Sequence, residues 1–477
     1  MVSPVGYIMI LAALLLFFRG RRALMWATLL FVSFFAVEVV DIGVTTIYGF
    51  QFFGVLFIAR SSIDAIWCRT GLVKPSRANV LAALFLSICF FSLPMAVAKA
   101  GVVEVYSEGG GLWMRKMYNP VALELSRFNF TQLAYPTFGI LLFHFLVMEI
   151  KSRDDIRKVV DILVMGSLVV AGMSITAGVL YTIGQGEVYS KTLGIFAVGE
   201  FGAKGPEAGS IGRFFRTYTI AGEPGFTAVT LLVGTGLVTG DFLKKGKSLV
   251  SWPMTKLSIL TLAILINGST TGYFGAGLLI SWSVIAPLYL GQGSIADVIR
   301  PFVYVLVGLL VVGGIVSTIQ VSGLGFYEWL NTYHIAKLQG EGAGSGATRL
   351  YVSWYTLKNV FLSSPILGVG YGSHLSLSFV TFLLANIGVL GFGAFLAFIY
   401  TVFRNSKKTA KKAKGTLEKA AFMGSFVFVP FFGTLFIGKS AVSMLFGLTW
   451  AVIALAEATY QVYRRESRDP HQGVPTT

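Results

Sequence analysis

Arg213 and Arg216 stand three residues apart, a spacing that puts both guanidinium groups on one helical face or lets both reach into one cavity. Guanidinium forks bind phosphate oxygens in pairs, so two or three of them can hold a pyrophosphate without a metal. Contact with lipid headgroups or loop carboxylates is the simpler use of the same residues. Shortly after comes Ala221-Gly222-Glu223-Pro224. Proline is favoured at the first position of a helix and a carboxylate beside its positive end. Glu223 therefore reads either as a helix cap or as a group that orients a nearby arginine or takes a proton at the membrane surface. Arg349 opens a predicted helix at the end where the dipole disfavours a cation, and a residue set against the local rule is a functional candidate. Next is Gly368-Val369-Gly370-Tyr371-Gly372-Ser373-His374. Successive amides ahead of a helix can form an anion-binding concavity, although a loop-to-helix corner needs glycine as well. A histidine at a helix start is held neutral by the dipole, and a neutral imidazole is what a general base needs near pH 7. A capping histidine at headgroup level is the alternative reading of His374.

These stretches lie between long apolar runs. The chain has 477 residues, 55% hydrophobic and 13% charged, with a mean hydropathy of +0.74. A soluble domain carries about 25% charged residues, so too few polar side chains are present to coat several water-facing domains. A polytopic membrane protein, all-α, is the expected class. Two cysteines (Cys68, Cys89) and four scattered histidines (His144, His334, His374, His471) offer no zinc spacing, redox pair or disulfide framework. The apolar stretch from Met1 to Phe18 precedes its positive cluster, the reverse of a cleavable signal peptide, and is expected to be a retained membrane helix.

A bilayer-spanning helix needs roughly 20 mostly apolar residues. That template predicts thirteen spans: 2–18, 23–40, 43–59, 78–98, 132–150, 159–181, 222–240, 257–267, 273–290, 302–320, 375–403, 420–437 and 441–460, with 12 to 14 as the range. Lys and Arg total 38 against 22 Asp and Glu, a net charge of +16. Placing Arg19, Arg21 and Arg22 inside puts 26 of the 38 cations in inside loops, as the positive-inside rule requires. This orients the N-terminus outside and the C-terminus inside. The lysine-rich run 404–419 is then an inside loop beside anionic headgroups, and no nucleic-acid partner is needed. Residues 1–477 read as one integral domain, with two long outside loops, 182–221 and 321–374, as the natural carriers of function. A third outside segment is 99–131.

Leu350, Trp354, Leu357 and Val360 fall near helical spacing and predict an amphipathic helix lying on the membrane face. Asn267-Gly268-Ser269-Thr270-Thr271-Gly272 interrupts the eighth span, either as a break at membrane depth or as a turn between two helices. Glu38, Asp41, His144, Glu149 and Glu457 are ionisable residues near span ends, too dispersed to form an ion path.

Residues 200–400 carry, in order, RTYTIAGEPGFTA, NGSTTGYFGAGLL, RLYVSWYTLKN, SSPILGVGYGSH and LLANIGVLGF. This ordered set resembles the O-antigen polymerase and ligase superfamily of the Wzy and WaaL type, and the hydrophobic layout is similar over the whole chain. The resemblance implies a GT-C-like fold and an inverting, metal-independent, cofactor-free glycosyltransferase. Such enzymes transfer glycans from an undecaprenyl-diphosphate carrier on the periplasmic side of the bacterial inner membrane.

By the same resemblance Arg216 and Arg349 form the diphosphate-binding pair, Glu223 lines the same cavity, and His374 is the acceptor-side base or orienter. Arg213, Tyr218, Gly370, Tyr371 and Ser373 are the accompanying substrate-binding residues. Thr271 stands where many ligase-type relatives have arginine, which favours a polymerase of lipid-linked repeat units over a ligase. A flippase or transporter of the lipid-linked glycan is the alternative from another class. The implied partners are the undecaprenyl-diphosphate-linked oligosaccharide, membrane lipids, a chain-length regulator and a flippase.

Overall fold

The computed structural model describes residues 2–42, 46–67, 76–107, 120–196, 217–290, 345–438, 444 and 446–468. Among these, seven helices are long and apolar enough to cross a membrane: α3 (Gly49–Trp67), α4 (Arg77–Ala98), α5 (Arg127–Glu149), α6 (Arg153–Thr182), α8 (Pro224–Leu243), α12 (Phe379–Lys412) and, through Phe436, α13 (Thr416–Gly438). Around them stand α1 (Pro4–Arg19), α2 (Arg21–Phe31), α7 (Gly186–Gly194), α9 (Pro253–Asn267), α10 (Thr270–Tyr289), α11 (Ser345–Tyr355) and α14 (Gly447–Arg468). The predicted span 302–320 lies outside the described residues.

Local sequence explains where several helices begin. Ser126 with Asn129, and Ser152 with Asp155, form reciprocal capping boxes that start α5 and α6. Pro224 and Pro253 occupy the first turn of α8 and α9, where a missing amide proton costs nothing.

The second predicted span, 23–40, is corrected. Helix α2 stops at Phe31, and the valine-rich stretch Val37-Glu38-Val39-Val40 turns into β1 (Glu38–Asp41), paired antiparallel with β2 (Thr46–Tyr48). A second ribbon joins β3 (Glu104–Val105) to β4 (Val121–Ala122). The all-α expectation is amended by these two ribbons, and Glu38 and Asp41 belong to a strand rather than to a span.

Five ion pairs sort the helix ends. Arg21–Glu149, Arg22–Asp155, Arg153–Glu466, Lys244–Glu418 and Lys419–Asp241 tie together the ends of α2, α5, α6, α8, α13 and α14 that lie on one side of the bundle. Only Arg153–Glu466 is largely exposed, and such a pair contributes about 0–1 kcal/mol; what the five share is their position. The Lys419–Asp241 pair is buried, and Asp241 also accepts from the Leu249 amide and the Ser248 hydroxyl, which fixes the loop after α8. Chain direction then places Glu223, His374 and the start of α12 together at the opposite end.

Candidate functional site

The site is organised by a break in α12. Gly388, inside this helix, has φ 61° and ψ −168°, values no helix accommodates. Ala385 O and Asn386 O are the carbonyls that the amides of Val389 and Leu390 would take in an unbroken helix. Here they accept from the amides of Val369 (2.8 Å) and Gly370 (3.1 Å), while Val389 N and Leu390 N donate to Pro365 O (2.8 Å) and Ile366 O (3.2 Å). The glycine-rich stretch is thus hydrogen-bonded along the break, and two motifs some twenty residues apart are one structural unit.

Residues 368–376 are buried without interruption. A buried loop requires partners for its backbone groups, since each one left unmade costs about 1–3 kcal/mol. Beyond the two bonds above, Tyr371 N donates to Ser92 Oγ of α4, His374 N to Asn386 Oδ1, Leu375 N to Tyr106 O and Ser373 N to Gly370 O. From α5, Asn129 Nδ2 donates to Tyr371 O and to Ser373 Oγ (2.7 Å). The amides of Gly368 to Tyr371 and of Ser373 to Leu375 are thus bonded to protein acceptors. Gly370, Tyr371 and Ser373 hold the loop between α4, α5 and α12.

His374 is fully buried. Its Nδ1 accepts from Tyr106 N at 3.2 Å, so the ring proton sits on Nε2, which donates to Thr356 Oγ1 at 2.8 Å; Thr356 in turn donates to Val352 O. Asn386 clamps the histidine backbone from both sides, accepting from its amide and donating to its carbonyl. Burial pushes the imidazole down to about 3, so the ring is neutral, through burial rather than through a helix end. Neither nitrogen has a lone pair open to a substrate. With both ring nitrogens engaged, His374 locks the loop to the helix carrying Arg349, as the orienting half of its expected role would have it.

The burial has a measurable consequence. A histidine whose folded pKa lies below its ordinary 6.5 contributes stability that is full above that pH and is lost as the unfolded state takes up a proton that the folded state refuses. Thermal unfolding of the detergent-solubilised protein is expected to lose about 1.4 kcal/mol per pH unit below pH 6.5 from this site. His374→Gln should be less stable at pH 8 and show a shallower acid slope. An identical slope in both proteins would contradict the assignment.

Arg349 sits in α11, which continues through a π-helical turn (Thr356–Val360) and a 3₁₀ turn (Phe361–Ser363). The helix opens at Ser345, so Arg349 lies a turn inside it and the dipole argument for its oddity loses force. Its Nη1 donates to Leu377 O at 3.0 Å, just ahead of α12. Val352, Thr356 and Val360 are buried on the same face, following Arg349 at successive spacings of three, four and four. Val360, grouped with the outward apolar stripe in the sequence, belongs to this inward one, whereas Leu350 and Trp354 are exposed.

Glu223 is the N-cap of α8, with Pro224 in the first turn, and its side chain makes no capping bond. The segment ahead of it is fixed by the Asn267 turn. Asn267 Nδ2 donates to Thr217 O and Oγ1, and Ser174 shares a 2.7 Å hydrogen bond with Thr217. Thr219 pairs with Gly222 and with the Thr227 hydroxyl, Ala36 N donates to Ile220 O, and Tyr189 OH donates to Tyr218 O at 2.6 Å. Tyr218 lines a narrow cleft with Leu193, Phe196 and Gly222. The NGSTTG stretch is a turn between α9 and α10, with Gly268 in the left-handed region, and α9, 15 residues long, extends about 22 Å. That is shorter than a hydrocarbon core of about 30 Å.

The structure brings His374, Gly370, Tyr371, Ser373 and Arg349 into one network, and sets Glu223 and Tyr218 in a second cluster at the same end of the bundle. Between them stands the end of α13, where Ser378 Oγ donates to Phe436 O. Arg213 and Arg216 lie outside the described residues. Asn386, Asn129, Thr356 and Asn267 were not singled out from sequence as individual site residues. For Asn386 the signal was an amide side chain inside an apolar run, which is expensive unless it is paired. No family model matches the chain, and no curated protein matches it.

Proposed function

We propose that this protein is a polysaccharide polymerase of the GT-C-like class with about 13 membrane spans. It joins undecaprenyl-diphosphate-linked repeat units at the periplasmic face of a bacterial inner membrane. The observation that carries this reading is the placement of Arg349 and Glu223 at the bundle end opposite the ion-paired, lysine-rich end, with Arg349 turned inward onto the loop that precedes α12. An apolar groove of about 510 Å³ between α3, α4 and α5, lined by Phe90, Phe130 and Leu141 among others, suits the hydrocarbon environment such a donor occupies.

In this reading a hydroxyl of one glycan attacks the anomeric carbon of another in line. The new C–O bond forms as the bond to the diphosphate breaks, with inversion. Arg349, together with Arg216 and Arg213, neutralises the departing diphosphate through paired charge-assisted hydrogen bonds. Glu223 takes the hydroxyl proton, the task left vacant by the committed ring of His374. Tyr218, beside Glu223, contacts the acceptor sugar. No metal or cofactor enters the scheme, and a flippase and a chain-length regulator would supply donor and set product length.

The test is reconstitution of purified protein in bilayers containing lipid-linked repeat units. Long glycan chains, formed without nucleotide or ion gradient, are the expected product. Transfer of finished chains to lipid A core or to protein would make the enzyme a ligase instead. Transbilayer movement with no glycan growth would make it a transporter and end the polymerase reading.

A further inference from the structure

The outward face of the helix that carries Arg349 is apolar and uncovered. Leu350, Tyr351, Trp354, Leu362 and Ile366 are 58–67% exposed, far more surface than isolated apolar residues account for. This face adjoins one that already belongs to the bilayer. Ile366 O accepts from Leu390 N, and Val389 and Leu390 are about half exposed on α12, a helix long and apolar enough to span. The apolar surface therefore extends from the side of a spanning helix to Ile366 and Leu362 and resumes at Trp354 on the flank of α11, with exposed Lys358 and Asn359 between. Tryptophan and tyrosine stand at its far end, the residue types that settle at the level of lipid headgroups. Lys358, exposed on the same flank, has the reach and charge to meet headgroup phosphates.

We infer that α11 and the turns that follow it lie in the headgroup region of the outer leaflet, with Leu362 and Ile366 in the upper hydrocarbon, and that bilayer lipid covers this face. The opposite face of the same helix bears Arg349, Val352, Thr356 and Val360, bonded or packed against the buried loop. Lipid on one side and the loop on the other then hold Arg349 at headgroup depth. A lipid-borne diphosphate travels at that depth.

Spin labels report the depth directly. Trp354→Cys and Leu362→Cys, each made in a Cys68→Ser chain, replace exposed side chains and leave buried Cys89 in place. Glu124→Cys, exposed on the loop before α5, is the aqueous reference. Each protein is labelled and reconstituted in phosphatidylethanolamine–phosphatidylglycerol vesicles, and label relaxation is compared between oxygen and a water-soluble nickel chelate. Oxygen should dominate at Trp354 and Leu362, more strongly at Leu362, and nickel at Glu124. Nickel dominance at the two helix positions would show that the face lies in water. Shielding from both agents would show that protein covers it. Either result overturns the inference, and neither involves glycan transfer, so the polymerase reading stands or falls separately.

Discussion

Arg349→Ala is expected to leave a folded, membrane-inserted protein whose polymer output falls about a hundredfold or more, the usual scale for losing one preorganised donor at a developing negative charge. Its Nη1 donates a hydrogen bond to Leu377 O, worth about 1 kcal/mol net, and losing that bond should not by itself unfold the chain. Arg349→Lys separates charge from geometry. Lysine keeps the cation but loses the planar fork that meets two phosphate oxygens at once, so output between wild type and alanine is expected. The measurement is glycan length and amount per molecule of membrane-inserted protein. Wild-type output from the alanine variant would remove Arg349 from the mechanism.

The second large effect is structural. Gly368 packs against the backbone of Asn386 and Ile387, and Gly388 against that of Ile366 and Leu367, so closely that neither has room for a side chain. A Cβ on Gly368 would lie 2.3 Å from Asn386 C, and one on Gly388 would lie 2.2 Å from Ile366 O. Both glycines have positive φ, 70° and 61°, which costs a residue with a side chain roughly 1–2 kcal/mol before any clash. The obstructing atoms are backbone and cannot swing aside. Gly388→Ala or Gly368→Ala must therefore pull the seam apart, exposing some of its four cross-chain hydrogen bonds at about 1–3 kcal/mol for each buried group left unpaired. A loss of about 3 kcal/mol or more is expected, read as a lowered midpoint of thermal unfolding in detergent. If either variant unfolds at the wild-type temperature, the seam is not the element that holds the loop.

The spanning helices were legible because the hydrocarbon core imposes a length and a composition. Thus 78–98, 159–181 and 420–437 reappear as α4, α6 and α13 with ends displaced by a few residues. The same criterion misread 23–40, where apolarity continues past Phe31 but β-branching takes over and the chain turns into a strand. At the site, residue types were legible and partnerships were not. His374 was picked out for its position before a helix. What decides its chemistry is Thr356, 18 residues back, and Tyr106, 268 residues back, and neither separation follows a helical or strand period. Asn386 sits inside Leu383-Leu384-Ala385-Asn386-Ile387, which reads as an ordinary stretch of span until the loop that pairs with it is known. Glycine read as an anion-binding concavity or a loop-to-helix corner, and the structure uses it for close contact of one backbone segment with another.

The seam in α12 also sets an order of assembly. Helices α4 and α5 leave the ribosome long before the loop and α12, and they carry Ser92 and Asn129 whose partners have not yet been synthesised. Until residues 368–390 arrive, those polar groups and the broken span lack the bonds that make them tolerable in lipid. Biogenesis of this protein is thus expected to include a late step in which a nearly complete bundle receives the loop and the second half of α12 together. A chain truncated before that point would be a substrate for membrane proteases.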